Sequence, residues 1–386
     1  MALTLLQQPP SASLAQSPIV FSVSSSTNVT QSGFQYIAEL YYWTGSESQS
    51  GSAKYVLTKF PNTSNVGIFD FSKILNSTLT QPAIVNKSNV TFFKSRFSTQ
   101  WLSGSAYVTG SESTTSTIFK ALDGYSIFQE PINQNIYSKS PFWPIMTDGP
   151  VSQSVFDTNI GSGSVFVGNA GTSQPTRIIY SGSNGNGTVS VSGNVSSSGQ
   201  VAQFPMFPSS PSFPLTSVGL DWYSVQPYSG STALGSPIYF EVTCVQKYPN
   251  VRIMWKNRYG QFDFLNLYGA SQNSFNTERK VYQPQIGSWE STTLSYNNYD
   301  TQTQPYVVNA KEQLIANTQF LPESENELIK QLLSSDEIYW IYNEGTGEVR
   351  PLSIVTTNLA FKTSVVDKLI QYTFTFDWAQ NYKLII

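Results

Sequence analysis

The chain has 386 residues, enough for two or three domains with real cores, and only 12% of them are charged while 14% are aromatic. Lys and Arg number 21 against 24 Asp and Glu, a net charge of −3, which gives no electrostatic footprint for a nucleic-acid backbone. There is no histidine and only one cysteine, so Ser-His-Asp triads, Cys-His pairs, zinc-hydrolase sites and intrachain disulfides are all excluded.

The opening Met1-Ala-Leu-Thr-Leu-Leu6, followed by Gln7-Gln8-Pro9-Pro10, lacks the basic region and apolar length of a signal peptide. No run of about 18 apolar residues occurs, so no membrane span is expected. The remaining polar content is mostly Ser, Thr, Asn and Gln, which favour turns and strand surfaces over helix interiors. The expected class is mainly β: two or more antiparallel β-sandwich-like domains with one short C-terminal helix.

Residues 1–110 read as an N-terminal β-sandwich. Its strands are Ile19–Val23, Gln35–Trp43, Lys54–Phe60 and Thr91–Lys94, separated by polar turns. The second carries Tyr36, Ala38, Leu40 and Tyr42 on one face and Ile37, Glu39, Tyr41 and Trp43 on the other, which marks it as central or interfacial. Residues 111–150 form a bridging segment with Ala121–Phe128 and the aromatic, Pro-rich Ser140–Ile145, fitting strand or loop.

Residues 151–235 are rich in Ser, Gly and Asn, notably at Ile160–Val165, Ser181–Thr188 and Ser192–Gly199, between short apolar runs at Val165–Val167 and Arg177–Tyr180. Either a small β domain with long loops or an exposed linker fits. Asn-x-Ser/Thr triplets at Asn28, Asn62, Asn76, Asn86, Asn89, Asn186 and Asn194 are read as chance matches in such a composition.

A C-terminal β domain is expected over 236–386. Ile238–Val245, Val251–Trp255 and Phe262–Leu265 read as strands, with a hairpin turn at Asn257–Gly260. Cys244 lies in the first of these runs and reads as a small buried hydrophobe. Ser17–Val23 and Ser236–Val242 echo one another over seven residues, too few to establish duplication. Near 324–334 a helix is signalled by Ser324 and Glu327 as a capping box, with Pro322 outside it and an apolar stripe of Leu328, Ile329, Leu332 and Leu333. Then come Glu337–Tyr342, a turn at Asn343–Gly347, a strand around Leu352–Thr357, and Ile370–Trp378, whose alternation puts Ile370, Tyr372, Phe374, Phe376 and Trp378 on one face.

No phosphate-binding loop sits between a strand and a helix. Carboxylate-only chemistry would draw on Asp221 beside Trp222, Asp263 between two Phe residues, or Glu290 beside Trp289, each of which reads more simply as a turn or strand-edge carboxylate. Oxygen ligands cluster at Asp157/Asn159 and Asn184/Asn186, without EF-hand spacing. No catalytic residue, metal or cofactor is therefore expected. Aromatic side chains suited to gripping a sugar or a protein partner are Trp43, Trp101, Trp143, Trp222, Trp255 and Trp289.

The segment Trp255-Lys-Asn-Arg-Tyr-Gly-Gln-Phe-Asp-Phe264 resembles the W-x-N-x-x-G-x-x-x-F segment of virion structural proteins of tailed bacteriophages, notably those infecting Bacteroidetes. Gln8-Pro-Pro-Ser, Ser17-Pro-Ile-Val-Phe, Phe34-Gln-Tyr-Ile, Phe60-Pro-Asn62, Gly67–Ser72 and Ala121–Tyr125 are similar to the same group in the same order. The helix from Ser324, Ser334–Tyr339 and the terminal Tyr-x-Phe-x-Phe strand follow suit, whereas 151–235 matches nothing. The resemblance implies a virion building block of the tail, baseplate or head-tail collar, made in the host cytoplasm, whose partners are other virion proteins and copies of itself in a symmetric assembly. The alternatives are a host-surface glycan-binding module and a capsid decoration or head-fibre protein.

Overall fold

The computed structural model describes residues 3–45, 47, 51–79, 84–85, 90–133, 140–168, 174–191, 201–243, 247–290, 292–343, 345–363 and 370–382. Cys244, the triplets at Asn86, Asn89 and Asn194, and the Ser192–Gly199 run lie outside the described residues. The molecule is mainly β and largely antiparallel, and its contacts divide it into two compact units. One comprises 1–244, 254–264 and 324–337, the other 245–253, 265–323 and 338–386.

The first unit begins with β1 (Thr4–Gln7), β2 (Ala12–Leu14), β3 (Val20–Ser24), β4 (Gln35–Trp43), β5 (Tyr55–Lys59), β6 (Val66–Asp70), the short helix α1 (Ser72–Asn76), β7 (Val90–Ser103), β8 (Ala106–Thr115) and β9 (Phe119–Leu122). A three-stranded sheet in the order β1-β3-β6 faces a larger one ordered β2-β9-β7-β4-β5, with β8 also paired to β7. Phenylalanines from both sheets fill the space between. Phe21 of β3 lies 5.4 Å from Phe97 of β7 and 5.5 Å from Phe119 of β9, ring centre to ring centre. Strand β4 runs between β7 and β5, and Tyr36, Ala38 and Leu40 on its inner face are fully buried while Glu39 and Tyr41 opposite are partly exposed.

Local chemistry explains the Gly67–Ser72 segment. A Cβ at Gly67 would run into the Tyr36 ring. Asp70 accepts the backbone N–H of Ile19 at 3.0 Å and of Ser72 at 2.9 Å, tying β6 to the start of β3 and opening α1.

The same unit continues through β10 (Ser152–Phe156), β11 (Ser162–Phe166), β12 (Arg177–Gly182), β13 (Gly185–Ser190), β14 (Val201–Pro205), β15 (Trp222–Ser229), β16 (Thr232–Ala233) and β17 (Ile238–Thr243). These make a sheet ordered β10-β17-β15-β12-β13, with β16 on β15, and a separate β11-β14 pair. The Ser/Gly/Asn-rich region is a β layer with its own core of Val155, Tyr180, Phe204, Tyr223 and Phe240. The expected boundary at 236 falls inside this sheet, because β17 pairs with both β10 and β15. A two-residue turn joins β12 to β13, as the small residues there allow.

A further sheet has seven strands. With β18 (Val251–Lys256), β19 (Phe262–Leu267), β20 (Gln272–Tyr282), β21 (Gln304–Asn317), β22 (Ile338–Asn343), β23 (Glu348–Ile354) and β24 (Thr373–Trp378), its order is β19-β18-β22-β23-β24-β21-β20. Strand β24 keeps the alternation seen in the sequence: Phe374 and Phe376 are fully buried and Thr373 is exposed.

The helix near 324–334 is present as α2 (Asn326–Ser334), preceded by a 3-10 turn over Glu323–Glu325. Its cap differs from the expected box. Glu325, not Ser324, is the N-cap and no side chain closes it; Glu327 instead pairs with Lys330 at 3.0 Å. The 3-10 turn takes up the residues that a capping box would have needed. Leu328, Ile329 and Leu332 are buried as the stripe requires, and so is Gln331.

Candidate functional site

Among the described residues, a buried charged cluster in the first unit and an exposed β arm in the second are candidate sites.

The cluster is assembled by Met254–Phe264 and α2. Lys256 Nζ lies 3.1 Å from Asp123, 2.9 Å from Asp336 and 3.4 Å from Glu337. Arg258 pairs with Glu130 at 2.8 Å and with Asp148. Tyr259 Oη donates to Asp148 Oδ1 at 2.6 Å, and Gln331 Nε2 donates to Asp148 Oδ2 at 3.1 Å. Burial works to lower the Lys256 pKa, but hydrogen bonds and charge from Asp336 and Asp123 outweigh it and raise the value. Burial likewise raises the Tyr259 phenol.

The turn that holds this cluster explains the W-x-N-x-x-G pattern. Trp255 is fully buried. Asn257 Oδ1 accepts the N–H of Tyr259 at 3.0 Å and of Gln261 at 3.1 Å, while its Nδ2 donates to the Met146 carbonyl. Gly260 adopts φ +72 hard against the Asp123 carbonyl, where a Cβ has no room. Such an arrangement is suited to fixing three chain segments together. With each cation matched by carboxylates and shielded from water, it offers a substrate little purchase.

Asp263 is buried, with burial raising its pKa to about 7 despite hydrogen bonds from Thr147 and Asn257. Asp221 and Glu290, the other carboxylates beside aromatic residues, are exposed. Asn159 is buried and accepts the Phe156 N–H at 3.0 Å, and Asn184 donates to the Thr216 carbonyl at 2.6 Å. Among the described residues no group of three or more His, Cys, Asp or Glu is placed to hold a metal ion, and no helix is long and apolar enough to cross a membrane.

The six tryptophans separate by environment. Trp43 and Trp143 are half-buried against one apolar cluster that includes Leu14, Phe92 and Tyr259, with Trp43 stacked on Phe92 at 6.2 Å. Trp101 packs against the N-terminal core. Trp255 has no exposed surface to offer a partner. Trp222 is 46% exposed and Trp289 64%.

Trp289 belongs to the β arm, which the sequence did not signal. Strand β21 pairs with β24 only from Gln313 to Asn317, whereas its pairing with β20 runs on from Ile315 back to Gln304. Beyond Gln313 the two strands form a ribbon, met at Ala310 by the backbone N–H of Tyr382, whose ring also touches Phe275. Ten of the eleven β20 residues are exposed, so neither face of that strand is buried in the chain. Phe275, Val281, Tyr282 and Tyr306 lie on the ribbon, and Trp289, Leu294, Tyr296 and Tyr299 on the loop at its end, all exposed. Alternation detects strands with one buried face, and this ribbon has none for it to detect.

A scan against protein-family models finds no match, and a search of the curated proteins finds none. Among solved structures, trypsin-activated alpha-2-macroglobulin from Escherichia coli is similar at a TM-score of 0.21 and 10% identity, over 84% of this chain and 23% of that one. The chain thus spans about a quarter of that protein's length, and a likeness at this level assigns no function.

Proposed function

We propose that the protein is a structural component of a tailed-bacteriophage virion, at the tail, baseplate or collar, that works by contact with copies of itself and neighbouring virion proteins. The observation that carries its contact role is the β arm. A free two-stranded ribbon is marginally stable in water, and one lined with exposed Phe, Val and Tyr gains most from burial against another chain. The outer edge of β20 also presents unpaired backbone groups to which a further strand can add. Placement in a virion rests on the sequence resemblance, centred on Trp255–Phe264.

The buried ion pairs suit the same role: a building block needs a fixed framework, and the Lys256 and Arg258 networks pin together distant segments of the first unit. Cryo-electron microscopy of the particle carrying the chain tests the reading. The expected result is a symmetric ring or cluster with the arm against an adjacent subunit. A particle lacking the chain, together with a monomer in solution, would overturn it.

A further inference from the structure

The loop ending the β arm shapes an open polar depression of about 450 Å³. Its walls come from Pro284–Ser288 and Ser295–Asn297 with Asp300 and Thr301. Ser288 and Ser295 bridge across it, with the Ser288 N–H donating to the Ser295 carbonyl at 2.9 Å. Gly287, at φ +78, lies so close to that carbonyl that a Cβ would collide with it. A reciprocal pair of bonds shapes the far wall: Asn297 N–H to Asp300 Oδ2 at 2.8 Å and Asp300 N–H to the Asn297 carbonyl at 3.0 Å.

The next residue along is Trp289. Its Nε1 donates to the carbonyl of Ile286, a wall residue, at 2.9 Å, so the indole is held in one orientation although 64% exposed. Tyr296 is in the wall and 70% exposed, and Tyr299 is 80% exposed. From Val281 to Ala310 the chain has no Lys or Arg and two acids, Glu290 and Asp300.

From this geometry we infer that the arm tip is a binding site for a neutral pyranose, with Trp289 as a stacking platform and the amide, hydroxyl and carboxylate groups of the depression as hydroxyl partners. A sugar ring presents polarised C–H groups to the negative face of an aromatic ring, and an indole fixed beforehand loses little entropy in receiving it. Its hydroxyls ask for mixed donors and acceptors, which Ser288, Ser295, Asn297, Asp300 and Thr301 supply. The acidic, cation-free character of the tip selects against sialylated or phosphorylated sugars. The inference does not depend on placement in a virion.

The test is titration of the full chain, by calorimetry and ligand-observed NMR, with neutral gluco-, manno- and galacto-oligosaccharides and a sialylated oligosaccharide as the anionic control. The expected result is saturable binding of at least one neutral oligosaccharide, weakened tenfold or more by Trp289→Ala and unchanged by Trp222→Ala, an exposed tryptophan elsewhere. Circular dichroism checks that both variants keep the fold. The inference is overturned if no neutral oligosaccharide binds at millimolar concentration, if the sialylated one binds as well, or if Trp289→Ala binds like the parent. A change in oligomeric mass on Trp289→Ala without any sugar binding would instead make the tip a protein contact.

Discussion

Lys256 and Asp123 are 133 residues apart in sequence and 3.1 Å apart in the fold. The ammonium that joins them is shared with Asp336 and Glu337, so one side chain ties the end of β9, the Trp255–Phe264 segment and the end of α2. Asp123 and Glu337 are only 12% and 17% exposed at their side chains, and removing the cation takes the charged partner from two poorly solvated carboxylates. Lys256→Ala is therefore expected to lower the unfolding free energy by about 3–5 kcal/mol in urea titrations at neutral pH. Because the folded pKa of Lys256 is raised, its contribution is fully present below the unfolded value near 10.5 and is lost as pH rises through the folded one. The deficit of the variant should accordingly be constant from pH 6 to 9 and narrow only in strong alkali.

Asp263 predicts a loss of stability with rising pH in a lower window. Its carboxyl is stable in the fold when protonated, and burial raises its pKa from 3.8 to about 7. Between those values the folded state holds the proton that the unfolded chain has released, so stability falls as pH rises from about 4 to 7 and levels off above. The loss at pH 8 is on the order of 4 kcal/mol at most. Asp263→Asn is expected to be more stable than the parent at pH 8 and no more stable at pH 4, measured by denaturant midpoints at the two pH values. Equal midpoints for parent and variant at pH 8 would show that the carboxylate is accommodated. Glu325, also raised to about 7 by burial, should behave in the same sense when replaced by Gln.

Gly260 and Gly104 share nearly the same backbone angle, φ +72 and +69, but not the same surroundings. A Cβ at Gly104 meets nothing within 4 Å, whereas at Gly260 it would strike the Asp123 backbone. Gly104→Ala should cost about 1 kcal/mol, the ordinary penalty for this conformation in an L residue. Gly260→Ala should cost several times more because β9 or the turn must move, and thermal unfolding of the pair separates strain from collision.

How far the sequence could be read follows from which residues carry a period. Strand β4 was legible to the residue, and β24 nearly so, because each has a face of aromatic or aliphatic side chains that the core claims. The Trp255–Phe264 segment was legible as a pattern and not as a cluster, since Asp123, Glu130, Asp148 and Gln331 come from distant parts of the chain and no spacing connects them. Trp255 and Trp289 looked alike in sequence, yet one is fully buried and the other is largely exposed. Only the neighbours supplied by the fold distinguish them. Strand β20, from Gln272 to Tyr282, left no signal of its own, ten of its eleven residues being exposed.

That arm yields the prediction that bears most directly on assembly. Val281 and Tyr306 are 54% and 62% exposed, and neither is part of a buried core in its own chain. Replacing both by Lys should alter the stability of the isolated chain by no more than about 0.5 kcal/mol per site, as surface substitutions away from special features do. If the ribbon is buried against another subunit, the same change sets two ammonium groups into an apolar contact at a cost large enough to abolish it. The expected outcome is an unchanged melting temperature together with loss of the higher-mass species in light scattering, and exclusion of the variant from assembled particles. Normal incorporation of the double variant would mean that the chain makes its contacts elsewhere, and the outer edge of β20 would then be the next surface to probe, by proline substitution at Thr277.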